Sequence, residues 1–359
     1  MSLRLFARGR STAETRSDAE RSAEVIIAAK EFVSVVIPCY NEERFIVKAL
    51  EQLVGQYQLD RYEIVVVDGL SEDATRERIA EFAKSHPDLS VVVVDNPARN
   101  IPTALNLGVT HARGTIIARM DAHAIPPAGY IERCVAVLAQ PGVGAVGMPC
   151  LVRPGNDTLT AKAIASAVSH PFGIGDAKYR LTAETSGQEP VDTVAFACFR
   201  KALWEEIGRF NEELLTNEDY DFNYRVRQHG KQVILDRQGH CDYFARSTLS
   251  ELAQQYRRYG RWKAQMVKLH PGSIKLRHLV APVFVLSILM LALAGFFFYP
   301  IWLLLGLELF LYFALALYFG FRIAKGNVGL GLLMPVVFLL IHLSWGSSFL
   351  VGLFIPQRR

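Results

Sequence analysis

The sequence has 359 residues, of which 51% are hydrophobic, and a formal net charge of +4 at pH 7. The length suits one large domain with a further segment, and so small a net charge argues against nucleic acid as a partner. Five scattered cysteines without a CxxC pair argue against a disulfide framework or a zinc site, and they are typical of a reducing compartment.

The first thirty residues are rich in Arg and Ser and contain no long apolar run. Residues 1–30 are therefore predicted to be an N-terminal tail and not a signal peptide.

From residue 31 onward, short β-branched runs alternate with amphipathic stretches. This alternation predicts an α/β fold with a parallel sheet covered by helices on both faces. The predicted strands are Phe32–Ile37, Glu63–Val67, Ser90–Val94, Thr115–Ala118 and Val143–Met148. The predicted helices are Glu42–Gln56, Glu72–Ser85 with Ser71 as its N-cap, Ile101–Ala112 and Pro127–Gln140.

Polar residues follow three of these strands, namely Tyr40-Asn41-Glu42, Asp68 and Asp121-Ala122-His123. In parallel sheets the ligand site lies beyond the carboxyl ends of the strands. Residues i and i+2 of an extended chain point to the same side, so Asp121 and His123 are candidates to share one divalent cation. The alternative is an ordinary turn Asp followed by a surface His.

Four blocks occur in the chain in the order VSVVIPCYNEE, EIVVVDGLSEDAT, ALNLGVTHARGTIIARMDAH and NEDYDFNYRVRQHG. Together they resemble the family 2 inverting glycosyltransferases with the GT-A fold, over roughly Val33 to Gly260. A further likeness, to glucosyltransferases of succinoglycan-type exopolysaccharide assembly, rests on Asp121–His123, HPFGIGDAKYR and QYRRYGRW. The resemblance implies a GT-A nucleotide-sugar-binding domain with a mostly parallel central sheet over residues 31–250.

The resemblance also implies which residues bind a UDP-sugar donor. Glu42, Asp68 and the Pro38–Tyr40 backbone would hold the base and ribose, and Asp121 the sugar or a metal ion. The family motif is Asp-x-Asp, and here His123 replaces the second carboxylate. The cofactor is expected to be a divalent cation, Mn²⁺ or Mg²⁺, and His123 favours Mn²⁺ because Mn²⁺ accepts imidazole more readily than Mg²⁺ does. Alternatively, His123 bonds only a phosphate or the backbone.

A second acidic group is Glu218-Asp219-Tyr220-Asp221. Inversion at the anomeric carbon needs one base to take the proton of the acceptor hydroxyl, and the resemblance assigns that base to Asp219. Glu218 and Asp221 are then supporting residues. The alternative is that these acids only favour the N-terminus of a helix.

A third group follows the pattern Gln-x-x-Arg-Trp of the family's processive synthases, with Tyr in the Trp position. It comprises Gln255, Arg258, Tyr259 and the nearby Trp262. An Arg can pair with the diphosphate of an acceptor and an aromatic ring can stack on its sugar, or the segment can contact anionic lipid. For Lys178 and Arg180 the sequence leaves two alternatives: contact with an acceptor diphosphate, or a position on the protein surface.

Three segments are long and apolar enough to cross a bilayer, which takes roughly 20 residues. They are Leu279–Phe298, Ile301–Phe319 and Val328–Phe354. We therefore predict a transmembrane region of about three helices at residues 279–355, after a basic amphipathic juxtamembrane segment at residues 251–278. The positive-inside rule puts the basic segment in the cytoplasm. Three spans would leave Arg358 and Arg359 outside, unless the third segment does not cross fully.

The expected protein is a multi-pass protein of the inner (cytoplasmic) membrane with a cytoplasmic catalytic domain. The expected reaction moves a hexose, glucose from UDP-glucose, onto a polyprenyl-diphosphate-linked saccharide in extracellular polysaccharide assembly. One alternative is transfer to polyprenyl phosphate, which makes a single lipid-phosphate-sugar. Another is a catalytically inactive membrane scaffold.

Overall fold

The computed structural model describes residues 31–181 and 186–355. The predicted tail at residues 1–30 and the terminal Arg358 and Arg359 lie outside the described residues.

The described chain contains a central eight-stranded sheet and a smaller three-stranded sheet. The strands are β1 (Val33–Cys39), β2 (Tyr62–Asp68), β3 (Ser90–Asp95), β4 (Ile116–Arg119), β5 (Ala124–Ile125), β6 (Val143–Gly147), β7 (Cys150–Arg153), β8 (Gln188–Pro190), β9 (Cys198–Arg200), β10 (Gln232–Asp236) and β11 (Cys241–Phe244). The central order is β3-β2-β1-β4-β9-β6-β10-β8, and the small sheet is β5-β11-β7.

The central sheet is mostly parallel, which confirms the predicted fold class. Strands β3, β2, β1 and β4 run parallel, and so do β6 and β10. Strand β9 is antiparallel to both of its neighbours, and β8 is antiparallel to β10. In the register, Cys39 lies opposite Asp68, which lies opposite Asp95, so the ends of three strands meet at one edge.

Nine helices of the described chain surround the sheets before the apolar region. They are α1 (Ile46–Glu51), α2 (Thr75–Ser85), α3 (Ile101–His111), α4 (Tyr130–Leu138), α5 (Leu159–Ala167), α6 (Pro171–Ile174), α7 (Lys201–Glu206), α8 (Glu218–Gln228) and α9 (Leu249–Leu269). The buried side chains form one hydrophobic cluster on each face of the central sheet, as expected for a covered parallel sheet.

Two details of the predicted helices were wrong. The helix expected over Glu42–Gln56 is helical only in α1, and Ser71 is not the N-cap of α2. Instead, the Ser71 hydroxyl donates to Asp68 and accepts the backbone N–H of Asn41. The loops after β1 and β2 use these groups to bind each other, so the groups are not available to start helices.

Three long apolar helices follow α9: α10 (Arg277–Gly295), α11 (Ile301–Ala324) and α12 (Val328–Phe354). All three are long and apolar enough to span a membrane. Helices α10 and α11 form a tight hairpin, and its tip exposes Phe296, Phe297, Phe298 and Tyr299.

Helix α12 is packed against the rest of the protein along its length. Buried residues of α5, α9 and α12 share one hydrophobic cluster that includes Ile164, Tyr256 and Phe338. Near the end of α12, the Lys268 ammonium of α9 donates to the Gly352 carbonyl at 3.0 Å. The predicted juxtamembrane segment is therefore joined to the apolar region by a shared core.

Candidate active site

A cavity of about 600 Å³ lies between the carboxyl ends of the central strands and the apolar helices. Asp121 and His123, which follow β4, line it together with Asp219 at the start of α8. On the opposite side it is lined by Phe284 of α10, Tyr312 of α11 and Trp345 of α12. One space thus connects the polar strand ends with the helices that are able to enter a membrane.

Arg119, the last residue of β4, organises the acids at the polar end of this cavity. Its side chain is buried, its Nη2 lies 2.9 Å from Asp121 Oδ1 and 3.8 Å from Glu218 Oε1, and its guanidinium covers the Phe196 ring. Arg119 is not among the residues predicted from the sequence. The available signal was a charged residue that ends an otherwise apolar strand.

His123 is held by Glu42. The His123 Nδ1 lies 3.0 Å from Glu42 Oε1, which leaves Nε2 as the unoccupied ring nitrogen. Burial lowers the pKa of His123, but the hydrogen bond with Glu42 and the charge of Asp121 outweigh burial, and the pKa is raised. A carboxylate that fixes the far nitrogen of an imidazole is the common arrangement behind a metal-binding His.

The residues present fit a divalent cation. Asp121 uses Oδ1 to meet Arg119, so Oδ2 remains a candidate ligand beside His123 Nε2. In the described residues, no cluster of three or more His, Cys, Asp or Glu side chains is arranged to hold a metal. Two protein ligands are sufficient where substrate phosphates and water supply the remaining positions, as is usual for Mg²⁺.

Glu218 and Asp219 occupy the first turn of α8, after Asn217 in the left-handed region at φ 71°. Burial, followed by the charge of Asp219, raises the pKa of Glu218 to about 8. Burial also raises the pKa of Asp219, against the opposing effect of Arg119. Asp221 is fully buried and paired with Arg225 and His270, so its role is structural.

The residues expected to bind the nucleotide lie beside the cavity and do not line it. Asp68 is fully buried and accepts hydrogen bonds from Ser71 and from Arg76 Nε at 2.5 Å. Tyr40, two residues after Pro38, is 42% exposed, with the Arg99 guanidinium 5.3 Å from its ring centroid. Glu42 reaches the cavity only through His123.

Three of the four expected acceptor residues on α9 line the cavity, and one does not. Gln255, Arg258 and Tyr259 are in the lining, and Gln255 Nε2 donates to the Tyr259 hydroxyl at 3.2 Å. Trp262 instead packs against the separate cluster of Leu214, Tyr220 and Met266. Lys263, the next residue on α9, does line the cavity, so the Trp262 side chain lies to one side of the cavity and not beyond its end.

Comparisons with known proteins agree with this geometry. Residues 34–208 match the description Glycosyl transferase family 2. The chain is 28% identical over 328 residues to the succinoglycan biosynthesis protein ExoA of Rhizobium meliloti. The alignment covers 90% of this chain and 96% of that protein. It is 26% identical over 247 residues to a dolichyl N-acetyl-alpha-D-glucosaminyl phosphate 3-beta-D-2,3-diacetamido-2,3-dideoxy-beta-D-glucuronosyltransferase of Methanococcus voltae, covering 66% of this chain and 74% of that protein.

A solved structure shares the fold. It is a mannosyltransferase of Pyrobaculum calidifontis in complex with GDP-Man and Mn²⁺, with a TM-score of 0.59 and 22% identity. The alignment covers 91% of this chain and 96% of that chain, so the likeness includes the apolar helices.

Proposed function

Because residues 34–208 form a glycosyl transferase family 2 domain and the chain is a membrane-associated glycosyltransferase, we propose that it transfers a hexose, glucose from UDP-glucose, to a polyprenyl-diphosphate-linked saccharide. The product would serve extracellular polysaccharide assembly. The observation that carries the proposal is the cavity that joins Asp219 to the apolar helices. A water-soluble donor and a membrane-bound acceptor can meet in such a space.

In this reaction Asp219 is the catalytic base. The acceptor hydroxyl donates its proton to the Asp219 carboxylate while its oxygen bonds to the anomeric carbon. The bond from that carbon to the UDP oxygen breaks on the opposite side, and its electrons leave with UDP, so the configuration inverts. The raised pKa of Asp219 makes it a stronger base than an exposed carboxylate.

The donor's charge is handled at the end of β4. A divalent cation, Mn²⁺ or Mg²⁺, held by Asp121 and His123 would neutralise the diphosphate. Arg119 holds Asp121 in place, and Glu42 orients the His123 ring. Asp68, Glu42 and Tyr40 at the neighbouring strand ends hold the base and ribose, and Gln255, Arg258 and Tyr259 face the acceptor.

The enzyme would act at the inner membrane as a multi-pass protein with its catalytic domain in the cytoplasm, where UDP-sugars are made. The exposed apolar surface of the α10–α11 hairpin supports membrane insertion. The exposed Arg257 and Arg261 of α9, which are outside the cavity lining, support contact with anionic lipid on the cytoplasmic side.

The test is transfer itself. Membranes that contain the wild-type protein or Asp219→Asn are incubated with radiolabelled UDP-glucose or another labelled UDP-hexose, and lipids are extracted. We expect label in a lipid-linked saccharide for the wild type and not for the variant. Label in a lipid-phosphate-monosaccharide would favour the polyprenyl-phosphate alternative, and no lipid label with any UDP-hexose would contradict the proposed function.

A further inference from the structure

Arg180 ends a short 3₁₀ turn, Lys178–Arg180, and lines the cavity. Its guanidinium carbon lies 5.6 Å from the centroid of the Tyr179 ring and 5.5 Å from that of Tyr243 on β11. Tyr256 and Tyr259 of α9 are near enough to interact with its charge. The side chain is thus a cation surrounded by tyrosines.

Arg180 differs from Arg119 and Arg277 in its lack of an ion pair. It differs from the exposed Arg246 and Arg258, which also line the cavity, because it is half-buried. Arg119 pairs with Asp121, and Arg277 pairs with Asp176 and Asp192. Over residues 31–181 and 186–355, Arg180 forms no direct ion pair, although its charge acts on the Asp219 carboxylate of the same cavity and opposes the rise in the pKa of Asp219. A half-buried cation without a direct ion pair is unfavourable, and contact with tyrosine faces offsets only part of that cost. An anionic ligand in the cavity would supply a direct partner for Arg180.

Lys178, two residues earlier, shows that the sequence alone does not distinguish these cations. Its ammonium is outside the cavity lining and lies 2.5 Å from Glu189 Oε2. The turn therefore directs one cation to a surface ion pair and the other into the cavity.

The neighbours of Arg180 indicate which end of an acceptor it would meet. Tyr243 has its ring centroid 6.4 Å from that of His123, on the polar side. Tyr256 belongs to the same hydrophobic cluster as Phe338 and Ile341 of α12, on the apolar side. Arg180 lies between the two, as the phosphates of a lipid-linked saccharide lie between its sugar and its hydrocarbon chain.

We propose that Arg180 binds a phosphate oxygen of the lipid-linked acceptor, an assignment that rests on the proposed function and extends it to the acceptor's anionic group. A guanidinium suits this ligand because it donates two parallel N–H bonds to phosphate oxygens. The donor diphosphate offers the same chemistry, so the experiment separates the two sources.

The first arm measures binding of farnesyl diphosphate to the purified full-length protein in nanodiscs, without donor. We compare the wild type with Arg180→Gln, Arg180→Lys and the surface control Lys178→Gln. Loss of one charge-assisted pair of hydrogen bonds predicts affinity weaker by about 10- to 100-fold in Arg180→Gln, a smaller loss in Arg180→Lys and none in Lys178→Gln. Equal affinity of wild type and Arg180→Gln would overturn the assignment.

The second arm measures UDP binding in the presence of Mn²⁺ by the same four proteins. Unchanged UDP affinity in Arg180→Gln supports the acceptor as the source of the phosphate. A parallel loss of UDP affinity would assign Arg180 to the donor and overturn the proposal. Unfolding temperatures separate both results from misfolding, and Arg180→Lys keeps the test valid if Arg180→Gln does not fold.

The two arms do not require turnover, so they separate this inference from the proposed function. Arg180-dependent binding of farnesyl diphosphate in a protein that transfers no sugar would leave the Arg180 assignment and overturn the transferase proposal. Transfer to a lipid acceptor with an unchanged KM for that acceptor in Arg180→Gln would support the transferase proposal and overturn the Arg180 assignment.

Discussion

At the scale of single residues, Asp219 differs from its acidic neighbours because it forms no ion pair in the described chain. Glu218 lies 3.8 Å from Arg119, and Asp221 is paired with Arg225 and His270. Asp219 lines the cavity and accepts only the backbone N–H of Tyr220, at 2.6 Å. A carboxylate left unpaired in a binding cavity is available to take a proton.

We therefore expect Asp219→Asn to reduce turnover by about 10²–10⁴-fold, the usual contribution of a general base. Asn has the shape of Asp but accepts no proton, so UDP-sugar affinity should stay near the wild-type value. Single-turnover rates and donor affinities measured in parallel check this. Glu218→Gln is the matched control and should be milder. Poor donor binding in both variants alike would point to a structural role.

The metal site gives a second expectation. His123→Asp restores two carboxylates, so the ratio of activity with Mg²⁺ to activity with Mn²⁺ should rise. Glu42→Gln is the control, because it keeps the imidazole and weakens only its orientation, and it should lower both activities by similar factors. Transfer rates measured over a range of concentrations of each metal ion test this expectation. An unchanged ratio in His123→Asp would remove His123 from the metal ligands.

Glu218 gives a pH-dependent expectation. Its ordinary pKa of 4.5 is raised to about 8 in the folded protein, so the native state binds its proton more tightly than the unfolded state does. Stability from this group is complete below pH about 4.5 and is lost as pH rises towards about 8. Because Gln cannot ionise, Glu218→Gln should gain unfolding temperature relative to the wild type as pH rises from 5 to about 8. The exposed control Glu213→Gln should show a difference that does not depend on pH, and the same behaviour in Glu218→Gln would contradict the raised pKa.

Much of the residue-scale chemistry could be read from the sequence. Asp68, Asp121 and His123 were identifiable because each follows an apolar strand of a predicted parallel sheet, and parallel strands bring their ends to one edge. The approach of Arg119 to Glu218 and the lack of an ion pair at Arg180 could not be read, because both depend on residues distant in the chain. Lys178 and Arg180 are equivalent until tertiary contacts give one of them Glu189.

At the scale of elements, the contact between α9 and α12 is close because glycine permits it. A Cβ at Gly260 of α9 would overlap the carbonyl oxygen of Trp345 in α12. An overlap of this kind would force α9 and α12 apart. The close contact between these helices also positions the α9 residues that line the cavity. The sequence indicated both helices by their apolar patterns but not their contact, because an apolar face does not specify its partner.

Gly260→Ala should therefore destabilise the protein by about 1–3 kcal/mol, as overpacking does. The matched control is Gly306→Ala in α11, where an added Cβ has no heavy atom within 4 Å. Because Ala favours helix over Gly, the control should be neutral or slightly stabilising. Thermal unfolding of the detergent-solubilised proteins checks both. Equal shifts in the two variants would mean that α9 and α12 are not in close contact.

At the scale of the whole molecule, the question is whether α12 crosses the membrane. Gly329 near its start lies against Leu159 of α5, Phe338 lies beside Gly173, and Gly352 lies against Arg261 of α9. A helix of 27 residues is about 40 Å long, and α5, α6 and α9 contact it near its start, its middle and its end. Composition could not show this, because a lipid-crossing helix and a helix on the membrane surface under a protein domain are both apolar.

Helix α9 makes a crossing by α12 costly. It runs beside the C-terminal half of α12, and its Arg257, Arg258 and Arg261 are exposed. An arginine in the middle of a bilayer costs at least about 2.5 kcal/mol, so three of them exclude this half of α12 from the hydrocarbon centre. The α10–α11 hairpin, whose tip is exposed and apolar, has no such restriction.

We therefore expect two crossings, by α10 and α11, with α12 lying along the cytoplasmic surface. Single cysteines at Lys325 and Phe354, near the two ends of α12, should react with a membrane-impermeant maleimide from the cytoplasmic side only. A cysteine at Phe297, in the hairpin tip, should react from the opposite side only. The five native cysteines are buried, so their background is low. If α12 crossed, the cysteines at positions 325 and 354 would react from opposite sides, and that result would restore three spans.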